Sequence, residues 1–168
     1  WLPAGVVRAG SGPAGDWFVY SAPAQKVTIT VPGPENAGAV EMEIPIPRTV
    51  LVCVGQASYL WALKTASFEH GALAFRAPFP NVHANGQICW GANRPPQADA
   101  GRARLTWLSF FSTPFNDHLR DGKSIKHPQN VLDVYRELAG GNIHCYPAGD
   151  LVDTGYSIES LVKQVIQG

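Results

Sequence analysis

The chain has 168 residues, of which 45% are hydrophobic and 15% are charged, and its 13 basic and 13 acidic side chains cancel. This composition predicts one globular domain over residues 1–168, with a core at about 16–140 and a C-terminal helix at 157–167. The charge balance argues against a nucleic-acid-binding protein, and no apolar run reaches the roughly 18 residues that a membrane-spanning helix needs.

Six short runs in the first half of the chain have the composition of β-strands. Several of them alternate apolar and polar side chains, which is the pattern of a strand with one buried face. The run at 49–55 is apolar on both faces and is therefore expected at the centre of a sheet. Short loops containing Gly, Pro or Asn favour antiparallel neighbours. The predicted strands are 16–22, 26–31, 39–47, 49–55, 58–64 and 72–80.

After Gly91 the spacing of apolar residues changes from two to about 3.6, the period of an α-helix. Strands that precede helices predict an α+β fold, in which an antiparallel β-meander is backed by helices. The predicted helices are 102–112, 128–140 and 157–167.

The ends and faces of these helices are also predicted. Pro128 suits the first turn of the second helix and Gly140 suits its end, because proline lacks an N–H and glycine favours helix termination. Ser157 is the expected N-cap of the third helix. The apolar face of the first helix is expected to contain Leu105, Trp107, Leu108 and Phe111.

The segment FPNVHANGQICWG, residues 79–91, carries the most specific pattern in the chain. Its six matching positions are Pro80, Asn81, Asn85, Gly86, Ile88 and Cys89. They match the active-site signature of ubiquitin-conjugating enzymes, His-Pro-Asn followed by Asn-Gly-x-Ile-Cys. In both patterns the Asn of the first triplet lies eight positions before the cysteine.

From about Gly38 to Leu119 the chain resembles a bacterial branch of these enzymes, PRTRC system protein B or prokaryotic family D. The resemblance implies a ubiquitin-conjugating-enzyme-like fold, in which the meander leads into a catalytic loop and C-terminal helices. It implies three partners encoded together: a ubiquitin-like modifier protein, a ThiF-type activating enzyme and a JAB-type peptidase. Neither a cofactor nor a metal is expected. Nucleic acid and membranes are not expected as partners.

The resemblance also implies roles for individual residues. Cys89 accepts the C-terminal glycine of the modifier as a thioester and passes it to a lysine amine. The side-chain amide of Asn81 stabilises the oxyanion that forms during this transfer. Asp117 is the candidate for orienting or deprotonating the incoming amine, with Asp121 as the alternative. The residues expected to support the active-site loop are Pro80, Asn85, Gly86 and Trp90.

The chemistry of thioesters explains why a cysteine without a neighbouring base is sufficient. Moving an acyl group between two thiols is nearly energy-neutral, and an ordinary thiol is about 3% thiolate at pH 7. Cys53 lies in the apolar stretch LVCVG and is expected to be a buried, unreactive side chain. Three cysteines without a CxxC pair predict no disulfide framework, and a reducing cytoplasm is the expected location.

Two features depart from the family pattern. Phe79 stands where the family has a His, whose role is mainly to tie down the loop. Residues 1–15 show no amphipathic helix ahead of the predicted strands, where many relatives use one to dock the activating enzyme.

Other functions remain as alternatives. One is a non-catalytic binding module of the same fold, although such variants usually lose the cysteine. Another is a cysteine hydrolase that pairs Cys89 with His118 or His144; against it, Cys89 is followed by WGANRPPQ, which does not begin a helix. A third is a scaffold protein in which the cysteine is incidental.

Overall fold

A computed structural model describes residues 1–34 and 37–168. In this part of the chain, strands form two antiparallel sheets, and three α-helices follow most of the strands. The strands are β1 (Val6–Gly12), β2 (Gly15–Ala22), β3 (Gln25–Pro32), β4 (Ala39–Ile46), β5 (Arg48–Val54), β6 (Ala57–Leu63), β7 (Leu73–Arg76) and β8 (Asp153–Ser157). The helices are α1 (Ala103–Ser112), α2 (Val131–Gly140) and α3 (Ile158–Gln167). The predicted α+β class with antiparallel sheets and C-terminal helices is confirmed.

The larger sheet has the strand order β1-β2-β5-β6-β7-β8. The apolar strand β5 lies between β2 and β6, as its two buried faces predicted. Because β2 pairs directly with β5, the chain between them leaves this sheet, and β3 and β4 pair only with each other. The backbone carbonyl of Thr30 in β3 accepts a hydrogen bond from the N–H of Phe115 at 2.8 Å, which ties this hairpin to the segment after α1.

Alternation along the central strands divides the buried side chains between the two faces of the larger sheet. Phe18, Leu51 and Leu60 point into one core, which α1, α2 and the β3–β4 hairpin cover. Their chain neighbours Val19 and Val52 point into the other core, which α3 covers. Both faces of the central sheet are therefore packed, and the residues that follow β7 belong to the first core.

The helix ends agree with the sequence at two positions and differ at a third. α2 ends at Gly140, as predicted. Ser157 caps α3, and its side chain accepts the N–H of Ser160 at 3.2 Å. The second helix begins at Val131 rather than near Pro128, because the side chain of Asn130 accepts the N–H of Leu132 and caps it there. The prediction for Pro128 was therefore wrong.

The buried face of α1 is rotated relative to its predicted face. Trp107 and Phe111 are buried as predicted, together with Phe110. Leu105 and Leu108 are 56% and 41% exposed, so the prediction for these two residues was wrong. The buried positions follow the i, i+3, i+4, i+7 spacing from Ala103, which places Leu105 on the opposite side of the helix and Leu108 outside the buried face. No helix among the described residues is long and apolar enough to cross a membrane.

Candidate active site

Residues 79–89 form a tight hairpin, here named the site hairpin. The N–H of Cys89 donates to the carbonyl of Asn81 at 2.7 Å, and the N–H of His83 donates to the carbonyl of Gln87 at 2.8 Å. A β-bridge lies between these two bonds. The eight-residue spacing of the sequence motif thus becomes a direct backbone contact between Asn81 and Cys89.

The second arm of the site hairpin continues the larger sheet. β7 pairs with one end of β6, and the hairpin arm pairs with the other end. The N–H of Leu60 donates to the carbonyl of Gly86, and the N–H of Ile88 donates to the carbonyl of Ser58, both at 2.8 Å. The site hairpin is therefore held by the sheet rather than left as a free loop.

The tip of the site hairpin requires its two turn residues. The side chain of Asn85 accepts the N–H of Gln87 at 3.1 Å, which is a common local turn contact for asparagine. Gly86 has a φ of +91°, and a Cβ at this position would overlap the indole ring of Trp61. A side chain at residue 86 would therefore strain the backbone and also displace the tip from Trp61.

The three cysteines occupy different environments. Cys53 is completely buried, as predicted, and burial raises the pKa of its thiol to about 12, which makes it a poor nucleophile. Cys145 is exposed on a segment outside the site hairpin. Cys89 is partly exposed and lies at the end of the hairpin arm. The next residue, Trp90, is 8% exposed and packs edge-on against Phe110.

Asn81 is buried at 3% exposure and connects the site hairpin to the segment after α1. Its Oδ1 accepts the backbone N–H of Asn116 at 3.0 Å. This contact fixes the orientation of the amide, and the side-chain hydrogen bonds found among the described residues include none from its NH₂ group. A side-chain amide fixed in this way has the chemistry to donate a hydrogen bond to a developing negative charge.

The candidate aspartates lie on the segment that Asn81 holds. Asp117 follows Asn116 directly and forms an ion pair with Arg120 at 2.9 Å, with both side chains about half exposed. Asp121 is exposed, and its carboxylate lies close enough to the ammonium of Lys123 to oppose in part the lowering of the Lys123 pKa by burial. The structure thus brings Asn81 next to the segment of Asp117, and Asp121 lies further along the same loop.

The geometry gives no support to a Cys-His pair. His118 and His144 are exposed. In the described part of the chain, the histidine side chains that form hydrogen bonds are His70, to Glu159, and His127, to Glu137. Neither of these hydrogen bonds involves Cys89, so the described residues show no assembled Cys-His pair.

Two residues that the sequence did not single out hold the backbone of the site hairpin and of the residue directly before it. Tyr135, on α2, is completely buried and donates its hydroxyl to the carbonyl of Pro78. Lys123 is 2% exposed, and its Nζ donates to the carbonyl of Val82. Burial, reinforced by the nearby Arg76 guanidinium and opposed by the Asp121 carboxylate, lowers the pKa of Lys123 to about 8.

Lys123 is expected to make folding more favourable at high pH. The pKa of Lys123 in the folded protein is about 8, below its ordinary value of 10.5. At a pH between these two values, Lys123 carries a proton in the unfolded chain that it has lost in the folded chain. Relative to Lys123→Met, the free energy of unfolding of the wild type should rise by up to about 3 kcal/mol across this interval. Urea denaturation at the two ends of the interval measures the difference, and equal changes in both proteins would contradict it.

An α+β fold with antiparallel sheets and C-terminal helices, in which a hairpin presents a partly exposed cysteine, is compatible with the ubiquitin-conjugating-like, or E2-like, class of proteins. A family model described as Prokaryotic E2 family D matches residues 1–154, and the chain belongs to that family. The resemblance to prokaryotic family D found in the sequence is therefore confirmed. Comparisons with curated proteins and with solved structures gave no match.

Proposed function

We propose that this protein receives a ubiquitin-like modifier from a ThiF-type activating enzyme as a thioester on Cys89 and transfers it to a lysine amine. Membership of the prokaryotic E2 family supports a ubiquitin-conjugating-like role. The observation that carries the finer proposal is the contact between Asn81 and the partly exposed Cys89 on one hairpin, with the Asn81 amide oriented by Asn116. A JAB-type peptidase of the same system would remove the modifier again.

The first step is an exchange between thiols. The Cys89 thiolate attacks the carbonyl carbon of the modifier's terminal glycine, which is a thioester on the activating enzyme. A new carbon–sulfur bond forms, the old one breaks, and the activating enzyme leaves as a thiolate. Because the partner holds the thioester in place, the small thiolate fraction of an ordinary cysteine is sufficient.

The second step forms the amide bond. The lysine amine attacks the thioester carbonyl, and negative charge develops on the carbonyl oxygen, to which the NH₂ group of Asn81 would donate a hydrogen bond. The Cys89 thiolate then leaves, and the attacking nitrogen loses its extra proton. Asp117 is the candidate for orienting the amine and receiving that proton. To do so, its carboxylate would give up its ion pair with Arg120 and contact the amine instead.

Incubation with the modifier, the activating enzyme and ATP tests the proposal. On a gel without reductant, the wild type should show an adduct that a thiol reagent removes, and Cys89→Ala should show none. Cys89→Ser should give an oxyester adduct that resists the thiol reagent. Cys145→Ala is the matched control, because it removes an exposed cysteine outside the site hairpin and should retain the adduct.

A negative result would distinguish the alternatives. If the wild type binds the modifier without forming an adduct, the protein is a binding module of the same fold. If it cleaves the modifier instead, it is a hydrolase. If it neither binds nor cleaves the modifier, the scaffold alternative remains.

A further inference from the structure

Two side chains from outside the site hairpin hold backbone carbonyls on either side of Asn81. Tyr135 donates to the carbonyl of Pro78, and Lys123 donates to the carbonyl of Val82. The Val82 carbonyl belongs to the residue that immediately follows Asn81, which itself bonds to Cys89. A restraint on this carbonyl therefore acts on the part of the backbone that sets the position of the Asn81 side chain.

The segment that carries Lys123 is anchored by a buried carboxylate. Asp150 is 7% exposed, and its Oδ1 accepts the hydroxyl of Ser124 and the N–H of Lys126, each at 2.7 Å. Its Oδ2 accepts the hydroxyl of Tyr146 at 3.1 Å. Lys123 thus extends from a fixed backbone into the protein interior, and its ammonium does not have the freedom of a surface lysine.

A requirement for fold stability alone does not explain a lysine at this position. Burial of an ammonium carries a desolvation cost, which the nearby Arg76 increases and Asp121 only partly offsets. Buried ion pairs can often be replaced by apolar side chains of similar volume without loss of stability, so a buried charge is not in itself evidence of a stabilising role. What an apolar residue cannot supply is a charge-assisted hydrogen bond to the Val82 carbonyl.

We infer that Lys123 is a positioning residue for the transfer step: its bond to the Val82 carbonyl fixes the site hairpin so that the Asn81 amide meets the thioester oxygen. The inference rests on the proposed function of Cys89. Loading is affected less, because the activating enzyme's own site surrounds the thioester during that step. In the transfer to an amine, the groups of this chain surround the reacting carbonyl, so the position of Asn81 determines the rate.

The first measurement is hydrogen exchange at the amides of His83 and Cys89, which requires no partner protein. Both amides are hydrogen-bonded within the site hairpin. In Lys123→Met, exchange should be about 10-fold faster or more, because a charged hydrogen bond that opposes local opening is lost. Val162→Ala is the matched control: it weakens the core on the opposite face of the sheet and should leave these two amides unchanged relative to the rest of the protein.

The second measurement is discharge of the preformed Cys89 thioester to hydroxylamine, a small amine that needs no acceptor-binding surface. Lys123→Met should load near the wild-type rate and discharge about 10-fold more slowly. In an Asn81→Ala background the same substitution should cause no further slowing, because Lys123 acts through Asn81. Lys123→Leu is the second variant should Lys123→Met fail to fold.

The outcomes separate this inference from the proposed function. Exchange and discharge at wild-type rates in Lys123→Met would overturn the inference, and so would equal slowing with and without Asn81. If the wild-type protein forms no thioester, the proposed function itself is wrong. In that case, faster exchange in Lys123→Met would still support the restraint on the hairpin, and unchanged exchange would overturn it.

Discussion

Asn81→Ala is expected to form the Cys89 thioester near the wild-type rate and to discharge it to an amine about 10²- to 10³-fold more slowly. In the folded protein the Oδ1 of Asn81 is occupied by the N–H of Asn116, which leaves the NH₂ group as the donor. Loss of one preorganised donor to an oxyanion has an effect of this size in acyl-transfer enzymes. Single-turnover discharge of the purified thioester to lysine measures the rate without the loading step.

A second substitution separates the oxyanion role from the structural role of the same side chain. Asn81→Asp keeps an oxygen that can accept the N–H of Asn116 but replaces the NH₂ donor. If donation to the oxyanion is the function, Asn81→Asp should discharge as slowly as Asn81→Ala. Wild-type discharge in Asn81→Asp would show that the bond to Asn116 is what matters. Asn130→Ala, which removes an asparagine that only caps α2, controls for a general loss of stability.

The elements with strong local patterns could be predicted from the sequence, whereas those set by distant contacts could not. The central position of β5 followed from its two apolar faces. The edge strands β1 and β8 were not predicted, because their sequences, VVRAGSG and DTGYS, contain glycine and show no clean alternation of apolar and polar side chains. The sequence also gave no sign that β3 and β4 form a separate sheet. Apolar and polar side chains alternate in the same way along a strand of either sheet.

The same distinction applies to the candidate site. The relation between Asn81 and Cys89 could be predicted because both residues lie within one short hairpin, where spacing determines contact. Lys123 lies 41 residues from its partner Val82, and Tyr135 lies 57 residues from Pro78. A lysine in a polar segment looks exposed, and a tyrosine on an apolar helix face looks like ordinary core. The contacts of both depend on how α2 and its preceding loop fold back onto the sheet.

The packing of Phe79 holds the site hairpin in place without the histidine of the family signature. Its side chain is completely buried. The ring packs edge-to-face against Phe110 and Phe111, with centroids 5.6 and 5.2 Å away, and lies 6.1 Å from Phe115. The first residue of the hairpin is therefore fixed by aromatic packing against α1, where a histidine would need a hydrogen-bond partner.

Phe79→Ala is accordingly expected to lower the free energy of unfolding by about 3–5 kcal/mol, because it leaves a cavity among tightly packed rings. Phe79→His, which restores the family's residue, is also expected to destabilise the protein, since it places an imidazole among apolar rings. Urea denaturation of both variants measures these losses. Phe79→Leu is the control that keeps an apolar side chain, and its loss should be smaller than that of Phe79→Ala.

The histidine variant adds a pH dependence whose sign distinguishes burial from a new partner. Burial favours the neutral imidazole and places its folded pKa below the ordinary value of about 6.5. Below that pH the unfolded chain binds a proton that the folded chain does not, so the stability of Phe79→His should fall further as the pH falls. If the stability of Phe79→His relative to the wild type instead rises on acidification, the imidazolium forms a hydrogen bond to an acceptor at this position. The aromatic cluster would then not be what excludes histidine here.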